Sequence, residues 1–185
     1  MIEAARRVFL AEGYAGATLE AIADEAGFSK GVVYSQFDSK ADLFMTLLER
    51  RIVERAAENE RVSGKLSGEA ALRAIVRAAE RDAAAESGWS GVLIEFRLVA
   101  SRDRALARRY AVAHAGALDM LAELLQGIHV RAQLQPAFPV QTMAELIMAV
   151  GAGIALERAA NPDALPSRAL EQMLVHALGL AKEER

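Results

Sequence analysis

Thr18, Ser29, Lys30, Gly31, Val32, Tyr34, Ser35, Gln36 and Lys40 crowd into one short stretch near the start of the chain. Their side chains offer ammonium, hydroxyl and amide donors. Such groups bind phosphate oxygens and base edges, and none of them forms a nucleophile–base pair. Lys30 is placed to reach a guanine edge, Gln36 a phosphate or a base edge, and Val32 a thymine methyl. The Tyr34 hydroxyl suits a phosphate oxygen. Gly31, lacking a Cβ, lets another backbone come close. Thr18 and Lys40 stand at expected helix starts, where free N–H groups attract phosphate. The chemistry that fits is recognition of double-stranded DNA.

Positioning these groups takes short helices. Thr18 can N-cap one helix, with Glu20 in its first turn and Gly27 at its end. Ser29 can cap a second, running to about Phe37. Ser39 followed by Asp42 resembles a capping box and opens a third. Two short helices joined across a glycine turn place the second in the major groove. A preceding helix, about Ile2 to Glu12, carries Ala5, Val8 and Phe9 on one stripe and stops at Gly13. Val33 and Phe37, four apart, pack inward against Ile22 and Phe9. The helix opened at Lys40 runs to about Glu60, with Leu43, Phe44, Leu47, Leu48 and Ile52 inward and a charged, solvated far half.

All four prolines lie in the last third of the 185 residues, and no window alternates like a strand. The composition predicts an all-α protein. The stretch 62–68, Val-Ser-Gly-Lys-Leu-Ser-Gly, reads as a linker. Function divides as residues 1–47, a helix-turn-helix DNA-binding domain, and 48–185, a helical effector-binding and dimerisation domain. Further helices are expected near 69–86, the first with Leu72, Ile75, Val76 and Ala79 inward, then 92–100, 104–127, 140–160 and 167–183. Trp89, Phe96, Arg97, Tyr110, His114 and Leu118 fall where an apolar pocket with a few polar groups would take a small effector. The same pattern also fits plain core.

The segment Leu146 to Leu156 is apolar nearly all round, so it must be covered on several sides. The last helix has its own stripe, including Ala181. Met143, Ile147, Val150, Gly151 and Ile154 with Leu170, Met173, Leu174, Ala177 and Leu178 would form a four-helix interface between two copies. A homodimer sets two recognition helices about one DNA turn apart and demands a near-palindromic operator. An effector that favours a wider separation of the two DNA-binding units would lower operator affinity, with the helix from Lys40 as lever.

Charge runs against DNA binding. Residues 1–45 hold Arg6, Arg7, Lys30 and Lys40 against Glu3, Glu12, Glu20, Asp24, Glu25, Asp38 and Asp42, so the whole chain's net −3 resides there. The alternative reading is a helical dimer that senses a ligand or partner without binding DNA. Enzyme readings lack residues. There is no cysteine, and His114, His129 and His176 lack zinc-site spacing. Phosphate-loop and nucleophile-elbow motifs are missing too. No metal or cofactor is expected. The apolar run at 146–156 is shorter than the ~20 residues of a membrane span, and a cytoplasmic protein with no membrane contact is expected.

The stretch from Thr18 to Lys40, with Phe9 and Gly13-Tyr14 before it and Leu43-Phe44 after it, resembles the DNA-binding domain of the TetR (tetracycline-repressor-type) family. The resemblance covers about the first 48 residues. It implies a homodimeric, ligand-responsive transcriptional regulator, usually a repressor, with a variable all-helical C-terminal domain. By that resemblance Thr18, Lys30, Gly31, Tyr34, Gln36 and Lys40 match positions that commonly touch DNA. Val32 stands where the family often has threonine. The basic N-terminal arm of many members is not seen before helix one.

Overall fold

Good helix formers and late prolines produce a fold that is all helix among the described residues. The computed structural model describes residues 1–180. Seven helices precede the first proline: α1 (Ile2–Gly16), α2 (Leu19–Ala26), α3 (Lys30–Gln36), α4 (Lys40–Ser63), α5 (Gly68–Ala85), α6 (Trp89–Ala100) and α7 (Arg104–Ala132). After the 135–139 loop come α8 (Val140–Ala160) and α9 (Ser167–Ala177). Gly13 breaks α1 as expected, with φ 73° and ψ 173°, a backbone region open essentially to glycine alone. The α9 helix stops earlier than expected, because Gly179 turns the chain at φ 64°. Ala181 and the predicted end at 183 lie outside the described residues.

The chain packs as two compact units, and neither follows the linker. The first joins Met1–Val53 to Glu86–His114. Its core is aromatic, built around Phe44. The Phe44 ring centroid lies 5.1 Å from Phe9, 5.1 Å from Tyr14, 4.4 Å from Phe96 and 5.6 Å from Trp89. Leu43, Leu47 and Leu48 are buried beside it, and Ile52 packs on the edge, as the stripe on α4 predicted.

The second unit joins Glu54–Ala85 to the described residues from 115 onward. Leu72 and Val76 of α5, Leu125 and Ile128 of α7, Met143 of α8 and Leu174 of α9 share its core. On α5 the inward alanines are Ala71 and Ala78, while Ala79 is exposed. The fully buried His129 has both ring nitrogens 2.8 Å from carbonyl oxygens, of Leu125 and Leu178, and so ties α7 to the end of α9. The far half of α4 is not solvated all round. Asn59 and Ser63 are buried, and Arg55 pairs with Asp82 of α5.

Candidate nucleic-acid interface

The α2–turn–α3 segment is held by local bonds that its sequence dictates. Thr18 Oγ1 accepts from the Ala21 N–H at 3.0 Å and caps α2. Gly27 closes α2 in the left-handed conformation, φ 69° and ψ 25°, and the Phe28 N–H returns to the Ala23 carbonyl at 3.0 Å. Ser29 precedes α3, but its hydroxyl makes no cap bond. Val33 is fully buried in the same core as Ile22 and Phe9, with Phe37 packed against it. That single anchor fixes which face of α3 looks outward.

The outward face carries the expected groups. Lys30, Gly31, Tyr34, Ser35 and Gln36 are exposed, and Val32 is half-buried. A Cβ added at Gly31 would meet just Ser29 Oγ, at 3.8 Å, so the space outside this turn is open. Ser35 Oγ donates back to the Val32 carbonyl at 2.8 Å. The Tyr34 hydroxyl donates to Glu20 Oε1 at 2.8 Å. That bond holds the Glu20 carboxyl below its usual range and, together with slight burial, raises the Tyr34 phenol. Nothing in the sequence pattern pairs Glu20 with Tyr34, because the two meet across the turn.

Lys40 has a role the sequence does not reveal. Its Nζ donates to the carbonyls of Tyr14 (2.7 Å), Ala15 (3.1 Å) and Ala17 (2.7 Å), and sits 4.8 Å from the Tyr14 ring centroid. An ammonium has three protons, and all three are used to close the end of α1. Burial lowers the Lys40 pKa, against an opposing pull from Glu95. Glu95 of α6 grips the same corner, accepting from the Ala15 N–H at 3.0 Å. The Ser39–Asp42 cap forms, with the Asp42 N–H donating to Ser39 Oγ at 3.1 Å. The Asp42 carboxylate also accepts from Arg109 of α7 at 2.6 Å.

Of the residues expected to line a pocket, Phe96 is core and the rest are half-buried. Phe96 is fully buried, Trp89 stacks on Phe44, and Arg97 bonds the Tyr110 hydroxyl. Tyr110 in turn stacks on His114 at 5.7 Å. Trp89 and Tyr110 are half-buried and pack against the first unit's core, where α6 and the start of α7 meet its aromatic cluster, and Arg97 and His114 are half-buried too. Leu118 packs in the second unit's core. Burial in the first unit and the Arg97 charge lower the His114 pKa.

The predicted dimer residues also divide. Met143, Ile154, Leu174 and Leu178 are buried within the second unit, so they are not available to a second copy. Ile147, Val150, Leu170 and Ala177 are half-buried, and Met173 and Gly151 are exposed. Leu146 and Leu156 are exposed as well. The α8 helix, 21 residues long, is the one helix among the described residues with the length and composition to cross a bilayer, and most of it is not buried.

Residues 1–47 match the family model of bacterial regulatory proteins of the tetR family. Residues 68–180 match that of the BetI-type transcriptional repressor C-terminal region. The chain belongs to the TetR family. Among curated proteins it is similar to the HTH-type transcriptional activator FasR of Mycolicibacterium smegmatis, 42% identical over 52 residues, covering 28% of this chain and 24% of that protein. It is also similar to the HTH-type transcriptional repressor AcnR of Corynebacterium diphtheriae, 37% identical over 62 residues, covering 32% of this chain and 33% of that protein. The chain thus matches a third or less of the length of either relative. A solved structure, the transcriptional regulator FadR from Bacillus subtilis in complex with stearoyl-CoA, superposes at a TM-score of 0.75 with 17% identity. That likeness covers 98% of this chain and 97% of FadR and concerns the fold.

Proposed function

We propose that this TetR-family chain is a ligand-responsive transcriptional regulator, acting as a repressor. In this reading a cytoplasmic homodimer binds a near-palindromic operator through α3 and is released by a small, mostly apolar effector. One observation carries it: buried Val33 turns Lys30, Gly31, Tyr34 and Gln36 outward on an unobstructed helix face. The first unit is neutral as a whole, because Arg50, Arg51, Arg97, Arg102, Arg104, Arg108 and Arg109 outweigh Glu49, Glu86, Glu95 and Asp103 by the three charges that residues 1–45 lack. The phosphate contact expected of Lys40 passes to backbone N–H groups at the start of α4, since its ammonium is occupied.

For the second copy we propose the exposed apolar surface of α8 and α9. Leu146, Leu156 and Met173 are exposed, and a Cβ at Gly151 or Gly153 would meet nothing within 4 Å. Such a surface lets a partner helix approach closely. The effector belongs to the 48–185 helices, and a fold-level neighbour that carries stearoyl-CoA supports a ligand of apolar character. The chain is then a binding protein and not an enzyme.

Selection from a random-sequence DNA pool, with sedimentation of the protein alone, tests the reading. A dimer should enrich a palindrome whose half-sites lie about one helical turn apart, and affinity should fall steeply with salt. A pool left unenriched would instead favour a sensor that does not bind DNA.

A further inference from the structure

Two anions compete for one proton on the outward face. The Tyr34 hydroxyl has a single hydrogen, and in this structure it goes to Glu20 Oε1 at 2.8 Å. A DNA phosphate that used Tyr34 would need the same hydrogen. The two acceptors are alike: each presents anionic oxygens, and each forms a short bond to an O–H donor. Lys30, expected to reach a base edge, also acts electrostatically on Glu20. Other acidic side chains of this region are bound to arginines, Glu25 to Arg7 at 2.6 Å and Asp42 to Arg109 at 2.6 Å. Glu20 differs from them in that its partner is itself a group of the DNA face.

We propose that Glu20 is a specificity-determining residue: its carboxylate occupies the Tyr34 hydroxyl in place of a phosphate oxygen, penalising sequence-independent DNA binding. The inference rests on the DNA-binding reading above. A phosphate approaching Tyr34 must turn the Glu20 side chain aside, or leave it in place and face its charge. That cost falls on binding that relies on a phosphate at Tyr34, as sequence-independent binding does. Where base contacts seat α3 on the operator, Tyr34 stays bonded to Glu20 and less of the cost is incurred, so the ratio of the two affinities depends on Glu20.

The test is a double-mutant cycle with Glu20→Gln, Tyr34→Phe and the pair, each measured by fluorescence anisotropy. The probes are a mixed-sequence duplex and the duplex selected from the random pool. Glu20→Gln should raise affinity for mixed-sequence DNA about three- to tenfold, with a smaller gain on the selected duplex, and the gain should shrink as salt rises. Adding Tyr34→Phe should remove most of that gain. Glu20→Ala checks that a glutamine amide oxygen does not keep the hydroxyl. Mixed-sequence affinity within about twofold of wild type in both Glu20 variants, or a gain undiminished by Tyr34→Phe, would overturn the role of Glu20 alone. A wild-type protein that binds neither duplex would overturn the DNA-binding reading and this inference with it.

Discussion

Replacing Lys40 by methionine separates a structural ammonium from a phosphate contact. Methionine keeps the apolar stem and removes three donors to the carbonyls of Tyr14, Ala15 and Ala17. A hydrogen bond to a charged group contributes about 1.5–3 kcal/mol net. The bonds to Tyr14 and Ala17 are partly buried, and the one to Ala15 is exposed, so water replaces it readily. Discounting both partly buried bonds for solvent access gives a loss of about 2–4 kcal/mol. The lost contact with the Tyr14 ring adds about 0.5 kcal/mol. For a domain of this size about 3 kcal/mol lowers the thermal midpoint by roughly 6–12 °C. Circular dichroism melts of wild type and Lys40→Met would read this directly. A midpoint within about 1 °C of wild type, with a salt slope for DNA binding reduced by about one, would refute the capping role and restore the phosphate contact.

Two further substitutions probe the same unit. Gly13→Ala forces a side chain into φ 73° and sets its Cβ 3.1 Å from both Glu95 carboxylate oxygens. Gly27→Ala, at φ 69°, meets open space. Gly13→Ala should cost about 2–3 kcal/mol and Gly27→Ala about 1 kcal/mol in thermal melts, and equal losses would sink the argument. For His114 the sign follows from burial, which lowers its pKa in the folded state. The unfolded chain then takes up the proton first, so stability present above about pH 6.5 is lost as pH falls toward the folded pKa. Melting midpoints should decline over that acidic range in wild type and less steeply in His114→Gln; parallel profiles would contradict the assignment.

Helix starts and stops were legible because their causes are local. Thr18, Gly13, Gly27 and the Ser39–Asp42 pair each act within four residues of themselves, and each did what its type predicts. The outward face of α3 was legible for the same reason, since Val33 and Phe37 share one helical stripe. The wording of that stretch also sufficed for the family resemblance.

Tertiary structure decided what each side chain meets. Lys40 looks like a phosphate ligand until the end of α1 folds over it. Trp89, Phe96 and Tyr110 look like a pocket until α6 and α7 close on Phe44. On α8 the sequence is apolar all round, so periodicity names no inward side. Packing alone buries Met143 and leaves Leu146 and Leu156 facing out. Local bonds are written between neighbours in the chain, whereas burial depends on surfaces brought together from distant residues, which the order of residues in one segment does not encode.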